Sequence, residues 1–192
     1  MSEIYFSSDL HFGHNRGFLY EPRGFSSIEE HDETIVENWN KVVKPEDTVY
    51  LLGDIMLNDN KNGIEKLNQL QGKIYYIRGN HCTDNRCELY KNTNMIPLSG
   101  DFHTSWAAFQ KINGYNIYIS HYPTIVGSLE DMSYLRERML NFHGHTHSKN
   151  KFYQDIPFMY NVALDAHNNT PVSFDEIISD IEAKANECIA ML

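Results

Sequence analysis

The spacing of apolar positions changes several times along the chain, and each change marks an element. The run EIYFSS (residues 3–8) reads as a strand that stops at Asp9. In SIEEHDETIVENWNKVV (27–43), Ile28, Ile35, Trp39 and Val42 fall on one face at helical spacing, and Ser27 with Glu30 gives a capping-box start. Pro45 and Asp47 then turn the chain into the apolar run TVYLL (48–52). NGIEKLNQL (62–70) reads as a second helix, stopped at Gly72, and KIYYIR (73–78) as a third strand. Strands that are apolar throughout and separated by helices predict a buried, largely parallel sheet. The second half differs. Two strand-like runs in SWAAFQKINGYNIYISHY (105–122) surround Asn113–Gly114, a hairpin turn signal. PFMYNVALD (157–165) reads as another strand, and SFDEIISDIEAKANECI (173–189) as a helix with its own capping box, Ser173 and Glu176. The sum is an α/β fold of two sheets with outer helices.

Composition adds bounds. A chain of 192 residues, 41% hydrophobic, fits one globular domain spanning 1–192 and excludes disorder. The apolar runs are too short to cross a bilayer, and MSEIYF has no secretory pattern. Cys82, Cys87 and Cys188 are odd in number and lack a CxxC spacing, which suits a reduced, cytoplasmic setting. A net charge of −10 argues against a broad nucleic-acid-coating face, so duplex nucleic acid is a poor partner, though not an excluded one. A small anionic substrate remains compatible, because bound metal can reverse the local field.

The polar residues after each strand share one character. The ends read Asp9-Leu10-His11, Gly53-Asp54, Gly79-Asn80-His81, Ser120-His121 and Gly144-His145-Thr146-His147. Ligands of open α/β sheets bind outside the carboxyl ends of the strands, so these ends can converge on one site. The donors are nitrogen and oxygen with no thiolate, a set that suits Mn, Fe, Zn, Ni or Co. Two divalent ions against the carboxylates of Asp9 and Asp54 would leave a positive site that draws a phosphate.

In this order, SDLH, LLGD, RGNH, SHY and GHTH resemble the five signature blocks of the calcineurin-like metallophosphoesterases, and the compact chain resembles the small bacterial and phage-type members, not the eukaryotic protein phosphatases. The resemblance implies a layered αββα sandwich, two central mixed sheets flanked by helices. It implies two divalent metal ions, manganese being the first choice for assay. One would be held by Asp9, His11, Asp54 and His147, the other by Asp54, Asn80, His121 and His145, with Asp54 shared. Paired metals about 3.5–4 Å apart clamp a phosphoryl oxygen and lower the pKa of water toward about 7. His81 is implied as the catalytic group that protonates the leaving oxygen, the alternative being a histidine that only orients a ligand. The implied reaction is hydrolysis of a phosphodiester such as a small or cyclic nucleotide. A nuclease, a non-catalytic metal-binding scaffold and a metal sensor are the alternatives. Two departures are visible. Cys82 stands where many relatives have aspartate, and GDIMLND (53–59) lacks the arginine of the protein-phosphatase block.

The remaining polar residues divide between two readings each. Arg16 and Arg23 are candidates to clamp a phosphate, and His14 either touches it or faces solvent. For His143 a histidine hydrogen-bonded behind the ligands or in the core is preferred to a third-metal ligand, and for Cys82 a small buried side chain to a nucleophile. Asp165 and His167 are read as a turn before the last helix rather than as pocket lining. The aromatic-rich KFYQDIPFMY (151–160) is read as core rather than as a base-stacking surface. Oligomeric state is not readable from this pattern.

Overall fold

A computed structural model describes residues 2–125 and 138–190, apart from the side chains of 188–190, so the Cys188 thiol lies outside the described residues. The elements are β1 (Ile4–Ser7), α1 (Gly17–Tyr20), α2 (Ile28–Val42), β2 (Thr48–Leu52), α3 (Asn60–Leu67), β3 (Lys73–Ile77), α4 (Asp84–Tyr90), β4 (Ile96–Pro97), β5 (Ala107–Ile112), β6 (Tyr115–Ser120), β7 (Met139–His143), β8 (Met159–Asn161), β9 (Val172–Ser173) and α5 (Phe174–Ala190). One sheet has the order β4-β3-β2-β1-β9 and the other β5-β6-β7-β8. In the first, β1 to β4 are parallel and β9 runs antiparallel to β1. In the second, β5 and β6 form the antiparallel hairpin, while β6, β7 and β8 are parallel. The architecture is therefore two mixed sheets flanked by helices.

Alternation along the strands explains the layering. Tyr5, Val49, Leu51, Ile74 and Tyr76 pack on one face of the first sheet against Ile35 and Trp39 of α2. Their neighbours Phe6, Tyr50, Leu52 and Ile77 point the other way, onto Ile117, Ile119, Leu140 and Phe142 of the second sheet and Ile177 and Ile181 of α5. Both faces of β1 to β3 are covered along most of their length, so Ile4–Phe6, Val49–Leu52 and Ile74–Ile77 are apolar without a break. Phe6 links the sheets, stacked on Tyr50 at 5.0 Å and edge-on to Phe142 at 4.9 Å.

Several short elements escape the sequence pattern. Helix α4 is seven residues long and its cap residue Thr83 makes no side-chain cap bond. Strands β4 and β9 are two residues each, held by pairing to β3 and β1. Helix α3 begins earlier than the pattern suggests because Asp59 accepts the Asn62 amide, and it ends at Leu67, before Gly72. Among the described residues, no helix is long and apolar enough to cross a membrane.

Candidate metal centre

The carboxyl ends of β1, β2, β3, β6 and β7 meet at one end of the sandwich. Backbone bonds fasten them together: Asp9 N–H donates to Gly53 O at 3.2 Å, His11 N–H to Asp54 O at 2.9 Å, and Gly144 N–H to His121 O at 2.9 Å. The buried Ser8 hydroxyl donates to Leu52 O at 2.7 Å. Glycines beside the ligands make room for carboxylates. A Cβ on Gly79 would lie 2.3 Å from Asp54 Oδ1, and one on Gly144 would lie 2.3 Å from Asp9 Oδ2.

The seven residues named as ligands close into a ring of short distances. Asp9 Oδ1 lies 3.7 Å from both His11 Nε2 and His147 Nε2. His11 Nε2 is 3.2 Å from His147 Nε2 and 3.9 Å from Asp54 Oδ2. Asp54 Oδ2 is 3.4 Å from His121 Nε2, which is 2.8 Å from Asn80 Oδ1. Asn80 Oδ1 is 2.9 Å from His145 Nδ1, and the His145 amide donates to Asp9 Oδ2 at 2.9 Å. Two groups, Asp9–His11–His147 and Asp9–Asp54–His121, have ligand atoms all within 4.8 Å of one another. Ligands each about 2.1 Å from one ion lie roughly 3–4 Å apart, so this spacing fits metal coordination. The buried Asp9 Oδ1 has no hydrogen-bond partner, an unusual state for a carboxylate oxygen that an ion would resolve.

The imidazoles are oriented from behind. His121 Nδ1 faces Leu52 O at 2.7 Å, and His147 Nδ1 faces Asp165 Oδ2 at 3.1 Å. Donation from each Nδ1–H leaves Nε2 with a lone pair aimed at the centre. The buried carboxylates and imidazoles shift one another's ionisation. Burial opposes ionisation of Asp9, but His11, His121 and His147 hold its carboxyl below the usual range. Burial likewise opposes the charged form of His121, yet contact with Asp54 and the charge of Asp9 push it up to about 9.

His81 is partly exposed beside this ring. Its amide donates to Asp54 Oδ1 at 2.8 Å, its Nε2 lies 4.0 Å from Asp54 Oδ2, and its ring is 5.6 Å from that of His11. His14 is buried against His11, with ring centroids 5.4 Å apart, and its Nδ1 has no partner. Burial and the nearby His11 lower it to about 4.

Arg23 does not face a substrate. It is buried, and its guanidinium grips Asp165 through two bonds of 3.0 and 2.7 Å. The remaining N–H groups meet Asp9 O at 2.8 Å, Leu10 O at 3.5 Å and His31 Nε2 at 3.0 Å. All five donors of the fork are engaged, so Arg23 holds the ligand loop instead of clamping a phosphate. Arg16 remains exposed, with its guanidinium 3.5 Å from Asn15 O. Asp165 lies in a single 3-10 turn, Leu164–Ala166, as the turn reading has it, but its carboxylate also supports both His147 and Arg23. The strand end VALD was a signal for it, but no local motif pointed to its partners. His167 does serve the turn, with Nε2 on Asn161 O at 2.8 Å. His143 is a core histidine with Nδ1 on Gly144 O at 2.9 Å and its ring edge-on to Tyr153. Cys82 is buried, and that burial raises its thiol pKa. Phe158 and Tyr160 are core residues, as the pattern suggested.

A layered α/β sandwich with oxygen and nitrogen donors ringed at its strand ends defines a metal-site protein of the phosphoesterase type. The family model "Calcineurin-like phosphoesterase superfamily domain" matches residues 3–162, and the chain belongs to this superfamily. It is similar to an uncharacterized protein of Methanocaldococcus jannaschii, 35% identical, over 95% of this chain and 93% of that one. The Gene 66 protein of Mycobacterium phage L5 is 32% identical over 77% of this chain and 79% of its own. Among solved structures, a protein of unknown function from Aquifex aeolicus aligns with a TM-score of 0.66 and 26% identity, covering 93% of this chain and 99% of that one.

Proposed function

We propose that the protein is a phosphodiesterase that uses two divalent ions sharing Asp54. The observation that carries this reading is the ring of seven donors, one of them the unpartnered Asp9 Oδ1. Asp9, His11, Asp54 and His147 would hold one ion, and Asp54, Asn80, His121 and His145 the other. Bound there, the ions supply Lewis acidity at a phosphoryl oxygen and a water ionised near neutral pH. His81 stands over the shared carboxylate with its ring partly open to solvent, and serves to protonate the leaving oxygen. His14 and Arg16 line the rim on the His11 side.

The arginines favour a diester over a monoester. A monoester dianion calls for more than one cationic clamp; the exposed Arg16 can supply one, but Arg23 is saturated by Asp165 and backbone. Arg78 is committed to Asp84, Cys82 O and His103 O, and Arg86 to Asn60 and His81 O. A diester carries a single charge and suits this supply. The class of substrate is a nucleotide-sized phosphoester, with a nuclease activity on short strands as a variant of the same chemistry.

The test is hydrolysis of bis-p-nitrophenyl phosphate and p-nitrophenyl phosphate by protein loaded with Mn²⁺ or other divalent ions. Faster turnover of the diester is expected. Metal binding by calorimetry without turnover of either ester would replace the enzyme with a scaffold or sensor. His81→Ala is expected to keep its metal content and lose kcat by about 10²–10⁴-fold. The loss should be smallest for esters whose leaving group needs no proton, and equal losses across leaving groups would remove the acid role.

A further inference from the structure

Resting on the phosphodiesterase reading, we propose that Phe18 and Tyr122 are stacking platforms for the substrate's bases, which makes the substrate a phosphodiester between two nucleosides: a dinucleotide or short single strand. Phe18 is 73% exposed and Tyr122 44% exposed. Single exposed aromatics are common, so exposure alone says little. Position distinguishes these two. Phe18 meets the His14 ring edge-on at 5.6 Å, and His14 meets His11 at 5.4 Å. Tyr122 meets His145 at 4.6 Å and His121 at 5.3 Å. The rings form two clusters, Phe18–His14–His11 and Tyr122–His121–His145, and the Asp54 carboxylate stands between them, 3.9 Å from His11 Nε2 and 3.4 Å from His121 Nε2.

Other exposed aromatics have different surroundings. Trp106 is covered by the Arg78 guanidinium at 4.6 Å, and Phe109 lies on β5. Local structure holds both platforms in place. Leu19 is buried and anchors α1, which turns its neighbour Phe18 outward. Tyr122 O accepts the hydroxyls of Ser120 at 2.8 Å and Thr124 at 3.0 Å, fixing the backbone behind the ring.

A phosphate seated over Asp54 would have Phe18 on the His11 side and Tyr122 on the His121 side, and a diester of two nucleosides has a planar base on each side of its phosphorus. Bases stack on aromatic side chains with little sequence preference. Bases inside a duplex are already stacked and unavailable. The net charge of −10 offers no long track for a polyanion, which favours a short substrate.

Steady-state kinetics on two esters with the same leaving group test this: a thymidine p-nitrophenyl phosphodiester and methyl p-nitrophenyl phosphate. Wild type is expected to prefer the nucleoside ester. The alanine variant of the platform that holds thymine, Phe18→Ala or Tyr122→Ala, should cut that preference about tenfold through KM, while the other, whose platform faces the p-nitrophenyl ring of both esters, should raise KM for both alike. Phe18→Tyr and Tyr122→Phe should restore wild-type kinetics, and Phe109→Ala should leave the ratio unchanged. Tyr122→Leu, which keeps bulk beside His145 but no π-face, should behave as the alanine variant, with metal content measured in parallel. An unchanged ratio in both alanine variants overturns the proposal. If metal-loaded wild type hydrolyses neither ester, the phosphodiesterase reading fails separately. Calorimetric titration with thymidylyl-thymidine then decides the platforms: binding weakened about tenfold by each alanine variant supports them, and absent or unaltered binding overturns them.

Discussion

Five donors, Asp9, His11, Asp54, His145 and His147, have φ values of 60°, 53°, 49°, 70° and 48°. Left-handed backbone costs an L-residue roughly 1–2 kcal/mol, and clustering of such residues at one site marks strain held in place by its surroundings. The restraints are visible in Arg23, which grips the carbonyls of Asp9 and Leu10, and in Asp165, which grips Arg23. Asp165→Ala should leave a buried guanidinium unpaired and cost about 3–5 kcal/mol in chemical denaturation. Freed from its carboxylate, His147 should bind metal about 10–100-fold more weakly by calorimetry. Gly144→Ala should abolish metal binding, because its Cβ would press to 2.1 Å from Ser8 Oγ and 2.3 Å from Asp9 Oδ2. The donors themselves were readable from sequence, since each follows an apolar run. The supports were not, because Arg23 and Asp165 lie 142 positions apart and only folding makes them neighbours.

At the scale of elements, caps and turns carried most of the legible information. Ser27 accepts the Glu30 amide at 3.2 Å and Ser173 the Glu176 amide at 3.2 Å, so both capping residues act as their spacing suggests. The Glu30 carboxylate instead takes the amide and hydroxyl of Ser26. The hairpin turn has Asn113 at φ 49° and Gly114 at φ 89°, with open space where a Gly114 Cβ would sit. Gly114→Ala should therefore lose about 1–2 kcal/mol from backbone strain alone, read as a lower urea midpoint with unchanged m-value. Asp47 joins the starts of β1 and β2 by accepting the amides of Glu3 and Lys44, each at 2.8 Å. Burial opposes its ionisation, but these bonds lower its pKa below the model-peptide value. Its contribution is full above the unfolded pKa near about 3.9 and fades as pH falls through the folded value. The stability gap between wild type and Asp47→Asn should thus shrink below about pH 4 in denaturation series. Helix α4 was illegible for a reason of the same kind: seven residues with no side-chain cap show too little pattern, and Cys87 and Tyr90 hold it through contacts with distant core residues.

For the whole molecule, the donor cluster is a store of opposed charges that an ion would relax. Divalent metal at about 100 times its Kd should stabilise the fold by about 2.7 kcal/mol, and a chelator should reverse the rise in Tm. Asp54→Ala should lose that response, since its carboxylate stands between His11 and His121. An equal metal-induced shift in this variant would take Asp54 out of the centre.

The sequence alone determined the period of each long element, the turn of the hairpin and the chemistry of the donors, because these depend on neighbours within a few residues. It also set the layering, since strands with unbroken apolar runs must be covered on both faces. Only the tertiary structure decided that Arg23 serves the ligand loop and Asp165 supports His147. It also placed Phe18 beside His14 and Tyr122 beside His121 and His145. Those roles are contacts between distant segments, and a side chain's spare hydrogen-bonding capacity is defined only once the chain around it has closed.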